Sequence, residues 1–349
     1  MPHKYLFFVS QNYSYAILRP LQAAIIARGD EVAWFLHGHI NADYLRSNEK
    51  RLLTIDDVVA YQPDASFVPE NMIPRFIPGL KVSVFHGFDP GKMNRRGTND
   101  HFHIRECFDL YCTQGPNTTG PFKAMAEQLG YFNVVETGWA TLDPLFDSQS
   151  CAQQIQSDDR PTILMCSTMS KDLRCASHLY EQVKQLCQND QWRWLIQFHP
   201  KMPIEIVDQY KALQNDNLTF VETDNVIPLL QQADVMLCDT SSVLFMFILQ
   251  DKPVVTFNNA APGPHLLDFS DADELENQLT HALTRTPELM QHIKAFNQQL
   301  HPYQDGNSSN RVLDAVENEL KGINPPRRKK PLNLVRNFKS RKALNYWKF

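Results

Sequence analysis

Between Ala233 and Phe257 the sequence leaves the fold little freedom. Val235–Cys238 is an apolar run of strand length, Asp239-Thr240-Ser241-Ser242 a polar turn, Val243–Leu249 an apolar segment of helix length, and Val254–Phe257 a second apolar run. Strands that read as unbroken apolar runs are buried on both faces, the condition of a parallel sheet covered by helices. In such sheets ligands bind where strand C-termini meet helix N-termini, and residues 239–242 fall there. Two adjacent hydroxyls at a helix start, with free backbone N–H groups and the positive end of the helix dipole, suit a phosphate. Taken alone, the turn is equally well explained by Ser241 as a simple N-cap.

The same alternation runs through the whole chain. In the first half, strands are expected at Tyr5–Val9, Glu31–Leu36, Ala65–Val68, Lys81–Phe85, Leu110–Thr113 and Asn133–Glu136. Helices are expected over Ser14–Arg28, stopped by Gly29, and Asn117–Leu129, stopped by Gly130. In the second half, strands are expected at Thr162–Cys166, Trp194–Phe198, Leu218–Val221, Val235–Cys238 and Val254–Phe257, with helices over Asp172–Asn189, Pro203–Leu213, Ile227–Ala233 and Ser309–Lys321. The polar stretch Asp147–Arg160 reads as a linker. A length of 349 residues suits two domains at roughly 100–200 residues each. The expected architecture is α/β, two Rossmann-like domains over 1–150 and 160–321 facing a cleft, followed by a tail over 322–349.

Seven cysteines, an odd number without a CxxC pair, read as small buried hydrophobes in a reducing compartment, and no metal or cofactor is expected. The run Tyr5–Val9 is too short for a signal peptide, and Val243–Leu249 is far below the ~18 residues of a membrane span. A cytoplasmic protein is expected. Charge is uneven. Nine cations lie in the tail (Arg327, Arg328, Lys329, Lys330, Arg336, Lys339, Arg341, Lys342 and Lys348), and removing them from the formal net charge of −5 leaves −14 on the rest. They mingle with Leu332, Leu334, Val335, Phe338, Leu344, Tyr346, Trp347 and Phe349, without a clean helical stripe. Basic residues among aromatics suit an anionic bilayer surface. An acidic body argues against nucleic acid. The tail is therefore expected to hold the protein peripherally on the inner face of the cell membrane, with a disordered basic arm as the rival.

Four clusters sit where chemistry is expected. Phe85-His86-Gly87-Phe88-Asp89-Pro90-Gly91-Lys92 follows a strand and offers His86 as a general base, against a merely solvated turn histidine. Gln197-Phe198-His199-Pro200-Lys201 places His199 and Lys201 at another strand end, both able to meet an anion. The third is the Asp239–Ser242 turn, and the fourth is the loop and helix start Asp305-Gly306-Asn307-Ser308-Ser309-Asn310-Arg311, whose guanidinium suits phosphate oxygens.

In this order, and with Thr137-Gly138-x-x-x-Leu142-Asp143 and Lys252-Pro253 added, the motifs over about residues 80–320 resemble the CDP-glycerol glycerophosphotransferases, the teichoic-acid primases, polymerases and their relatives in surface-glycan synthesis. The resemblance implies a fold of the glycosyltransferase-B type. It also implies transfer of a polyol phosphate from a CDP-alditol to a hydroxyl on a membrane-anchored acceptor, releasing CMP, with the 160–321 domain binding the donor and the 1–150 domain serving the acceptor. Carried onto this chain, His86 is the base for the acceptor hydroxyl. His199, Ser241, Ser242 and Arg311 hold the donor pyrophosphate, Asp239 orients the turn, and Lys92, Lys201 and Ser309 are further candidates. Phe85 stands where the family has tryptophan before His-Gly, and Lys92 lies one residue late. Thr240 replaces a tyrosine, and Met246 an acidic residue. These departures mark a divergent branch.

Asp271-Ala272-Asp273 matches a metal-binding triplet of other glycosyltransferases, but acidic residues at a helix start explain it more simply. The alternative function is a nucleotide-sugar glycosyltransferase or epimerase of the same fold. A non-catalytic nucleotide sensor is the rival from another class.

Overall fold

A computed structural model describes residues 2–89, 97, 99–147, 159–223, 225–325 and 327–348. The chain divides into two units, residues 1–143 with 300–349, and residues 144–299. Both are α/β, as expected.

The first unit holds seven parallel strands, β1 (Lys4–Val9), β2 (Glu31–Leu36), β3 (Arg51–Leu52), β4 (Ala65–Val68), β5 (Leu80–Ser83), β6 (Leu110–Thr113) and β7 (Asn133–Glu136), in the order β3-β2-β1-β4-β5-β6-β7. The second holds six, β8 (Thr162–Ser167), β9 (Arg193–Phe198), β10 (Leu218–Phe220), β11 (Val235–Cys238), β12 (Val254–Phe257) and β13 (Leu267–Phe269), ordered β10-β9-β8-β11-β12-β13. Each order reverses once, between β1 and β4 and between β8 and β11, and that switch point is where doubly wound sheets bind ligands. All four residues of β4, β6, β11 and β12 are buried, as unbroken apolar runs require.

One boundary differs from the expectation. The Ser308–Leu320 helix belongs to the first unit and not to a domain ending at 321. Its Val312, Leu313, Ala315 and Val316 enter the core formed by Tyr5, Phe7 and Trp34, worth about 1.5–3 kcal/mol for each large side chain. Arg28 holds it from the side through Asp314 (2.8 Å) and Glu317 (3.2 Å). Asp143, half-buried, accepts the Ser308 and Ser309 amides (2.8 and 2.7 Å) and caps the helix start. Gly138 closes the same joint. It has φ +78°, and an added Cβ would meet the Ser308 hydroxyl and the His301 ring at 2.4 and 2.9 Å. The Thr137–Asp143 motif is thus a helix-docking joint.

The tail also differs. It packs on the first unit and contains a helix, Leu334–Ala343. Arg327 and Lys330 both reach Asp109 (2.9 Å each), Arg336 lies 4.0 Å from Glu106, and Lys348 meets Asp56 at 2.8 Å. Tyr346 stacks on Phe76, with the Arg341 guanidinium over the same ring at 4.9 Å. Five of the nine cations thus find partners on the acidic body itself. Arg328, Lys329, Lys339 and Lys342 make no ion pair among the described residues. No helix among the described residues is long and apolar enough to cross a membrane.

The expected helix over Asp172–Asn189 is interrupted. A single turn at Cys175–Ser177 precedes a shorter helix, Tyr180–Leu186. The amides that open the turn leave the helix ladder, Cys175 donating to Asp239 (3.0 Å) and Ala176 to the Ser167 hydroxyl (3.3 Å).

Candidate functional site

In the first unit, chemistry gathers at the ends of β4 and β5. His86 lies just past β5 and is exposed. Its Nδ1 is 3.2 Å from the Pro69 carbonyl, a contact that requires a proton on Nδ1, so that in the neutral ring Nε2 carries the lone pair. The backbone that presents it is strained. Phe85 has φ +57°, a left-handed region that non-glycine residues enter uncommonly. Its ring is clamped among His101, Tyr111 and Phe122, and its carbonyl accepts the Trp139 indole N–H at 3.3 Å. The Trp139 amide in turn donates to His301 Nε2 (2.9 Å). Burial pushes His301 down to about 4, so it is a neutral acceptor throughout the physiological range.

The residue that sequence reasoning missed here is Glu70. It is 8% exposed and sits at the β1–β4 switch point, where it accepts the Ser14 hydroxyl and the Ser10 amide (3.4 Å). Burial raises its carboxyl above the ordinary carboxylate range, opposed by the hydrogen bond from Ser14. Tyr13, pushed up to about 12 by burial and then by the charge of Glu70, lays its ring on His86 with centroids 5.7 Å apart. A glutamate in the loop Pro69-Glu70-Asn71 carries no periodic signal, so only the topology reveals it.

The second unit repeats the device. Asp239 is fully buried at the β8–β11 switch point and accepts the Ser167 hydroxyl (2.8 Å) and the amides of Thr168 and Cys175 (3.0 Å each). In both units a carboxylate after the strand beyond the switch point (β4, β11) ties down the loop leaving the strand before it (β1, β8). Asp239 therefore shapes the turn from beneath. Above it, Ser242 occupies the N-cap position with αR dihedrals and no side-chain capping bond, and among the described residues neither the Ser241 nor the Ser242 hydroxyl is hydrogen-bonded. The N-cap explanation of these hydroxyls is not what this geometry shows. Thr240 accepts the Ala260 amide (2.9 Å), bracing the turn against the loop after β12.

His199, exposed at the end of β9, accepts the Lys201 amide on Nδ1 (3.0 Å), which leaves Nε2–H as a donor. Burial, then the Lys201 charge, lowers its pKa and keeps that neutral form. With Phe198, Phe220, Glu222 and Thr223 it lines a cavity of about 420 Å³ at the C-terminal ends of β9 and β10. Lys252 caps the Ile227–Gln232 helix through the carbonyls of Leu230 (3.0 Å) and Gln231 (2.7 Å), a structural use of the Lys-Pro motif. Asp271 accepts the Asp273 amide (3.1 Å), so the acidic triplet is a helix start.

The candidates thus divide by unit. His86, Ser309 and Arg311 are in the first; His199, Lys201, Asp239, Ser241 and Ser242 are in the second. Arg311 is paired with Asp305 and covers the Tyr303 ring at 4.2 Å. Ser309 is buried in the capped helix start. Lys92 lies outside the described residues.

Comparison with known proteins bears on family and fold. The family model of CDP-glycerol:poly(glycerophosphate) glycerophosphotransferases matches residues 128–261 and 256–318. No curated protein sequence matches the chain. Among solved structures, one titled as a UDP-N-acetylglucosamine 2-epimerase of Listeria monocytogenes aligns with 94% of this chain and 99% of its own, at 14% identity and TM-score 0.67. The wall teichoic acid polymerase TagF aligns with 91% of this chain and 89% of its own, at 15% identity and TM-score 0.62, and a variant of it has been solved after soaking with CDPG. At these identities the structural likeness shows the glycosyltransferase-B-like fold alone.

Proposed function

Because the chain belongs to the family of CDP-glycerol:poly(glycerophosphate) glycerophosphotransferases, we propose that this transferase moves glycerol phosphate, or a similar polyol phosphate, from a CDP-alditol to a hydroxyl on a membrane-linked glycan or polymer. The observation that carries this reading is the His86 geometry, an exposed, tautomer-locked base on a strained backbone. His86 Nε2 takes the proton of the acceptor hydroxyl as its oxygen attacks the β-phosphorus. The bond from that phosphorus to the bridging oxygen breaks, and CMP leaves with the electron pair. On the second unit, the Ser241 and Ser242 hydroxyls and His199 Nε2–H bind the donor phosphates, with Lys201 nearby. Arg311 contributes once it exchanges Asp305 for phosphate. Phosphoryl transfer asks mainly for such positioning and neutralisation of charge on the equatorial oxygens.

The exposed residues Leu334, Val335, Phe338 and Trp347, with the unpaired Lys339 and Lys342, hold the first unit at an anionic bilayer surface on the cytoplasmic side. Incubation of the protein with CDP-glycerol, CDP-ribitol and UDP-N-acetylglucosamine, with membranes and EDTA, tests the donor class. CMP release from a CDP-alditol is the expected result. UDP release would move the protein to the sugar-nucleotide enzymes.

A further inference from the structure

Five Asp, Glu, Lys and Arg side chains are buried among the described residues, and four of them are bonded within the protein. Glu49 is held by Arg19 (3.1 Å), and Lys81 donates to the Gly79 carbonyl (2.6 Å). Glu70 accepts from Ser14 and Ser10, and Asp239 from Ser167, Thr168 and Cys175. The fifth is Arg174, 8% exposed. Its guanidinium makes no hydrogen bond or ion pair with any described residue, and its Nε is shut off from solvent. Arginine is almost never buried without a counter-charge, because burial strips the cation of its hydration and nothing else replaces it. The place of Arg174 in the fold identifies that counter-charge. It lies in the loop that leaves β8 at the switch point of the second sheet. Asp239 grips this loop at both ends, through the amides of Thr168 and Cys175 (3.0 Å each), and Ser241 and Ser242 follow two and three residues after Asp239. Arg174 is extended (φ −71°, ψ 122°) within a stretch whose sequence reads as helix, and the capture of the next amide by Asp239 keeps it so. A cation without a counter-charge and two hydroxyls without hydrogen bonds therefore belong to loops joined by one carboxylate at one sheet edge.

We propose that Arg174 is the residue whose charge answers the donor diphosphate on the second unit, its planar guanidinium meeting phosphate oxygens as a fork beside the Ser241 and Ser242 hydroxyls. The assignment rests on the polyol-phosphate transfer proposed above. It goes further in naming a cation that is already unpaired on the donor-binding unit, whereas Arg311, on the first unit, must first give up Asp305.

The test is titration calorimetry of the full-length protein with CDP and with UDP, together with thermal unfolding of the free protein. Arg174→Met keeps most of the side-chain length and removes the charge. It should weaken CDP binding about 10–100-fold, the size of one or two charge-assisted hydrogen bonds. The free variant should unfold at or above the wild-type Tm, because a buried cation without a counter-charge opposes folding. Arg174→Lys keeps the charge without the fork and should recover part of the CDP affinity. Arg193→Met removes a cation from the opposite edge of the same sheet, at the start of β9, and should leave CDP binding intact. A lower Tm of the free Arg174→Met protein would show that the guanidinium serves the fold, and would overturn the assignment. Wild-type CDP affinity in Arg174→Met would sink the assignment alone and leave the transfer reading standing. Binding of UDP and not CDP, weakened by Arg174→Met to the same degree, would sink the CDP-alditol reading and leave Arg174 as the phosphate residue. Failure of the wild-type protein to bind either nucleotide would overturn both.

Discussion

Replacement of His86 by alanine is expected to lower transfer by about 10²–10⁴-fold, the usual contribution of a general base, with donor affinity and Tm close to wild type. The side chain is exposed and contributes little packing, so a stability loss is not expected. Its role depends on what stands behind it. The Pro69 carbonyl sets the tautomer, the Tyr13 ring sets the plane, and Trp139 with His301 holds the strained Phe85 backbone. Glu70→Gln keeps the shape of that support but removes the buried charge, and should cost much less than His86→Ala. The checks are steady-state kinetics and thermal unfolding of both variants. Activity within tenfold of wild type in His86→Ala would remove this residue from the chemistry.

Asp239→Ala should act in the opposite way, through stability. The substitution strips the acceptor from the buried Ser167 hydroxyl and Cys175 amide and from the half-buried Thr168 amide, and leaves a small cavity. Each buried donor left unpaired costs about 1–3 kcal/mol. A total of about 4 kcal/mol is expected, a Tm drop of roughly 8–16 °C at the 2–4 °C per kcal/mol typical of a folding unit the size of residues 144–299. Donor binding would fall with it, because the Ser241-Ser242 turn and the loop after β8 are joined through this carboxylate. An unchanged Tm with lost donor binding would instead mean that Asp239 touches the ligand.

Local pattern made most of the architecture readable. The long apolar strands and the helices stopped by Gly29 and Gly130 lie within one or two residues of their expected places, because burial on both faces and αL glycine leave direct marks in sequence. Strands β3 and β13, of two and three residues, are too short to carry a period. The features that were not readable all depend on partners distant in the chain. Asp109 meets Arg327 across more than two hundred residues, and no local property of a basic tail says that it will lie on its own body. The helix bearing Arg311 follows the second domain in sequence, yet its apolar face fits the first sheet. Cys175 leaves a helical pattern because Asp239 captures its amide. Of the candidate site, His86, His199, Ser241 and Ser242 were nameable from sequence, because each follows an apolar run that reads as a strand. Glu70 was opaque, since its meaning comes from burial at a switch point.

Which bond breaks is reported directly by the fate of the β-phosphorus. CDP-glycerol labelled with ³²P at that atom would be incubated with the protein and an acceptor-bearing membrane fraction, and the label followed. Transfer of the polyol phosphate predicts that the label moves into the acceptor while unlabelled CMP accumulates, and that His86→Ala stops both. Label retained on the nucleotide as CDP, with glycerol transferred alone, would contradict it.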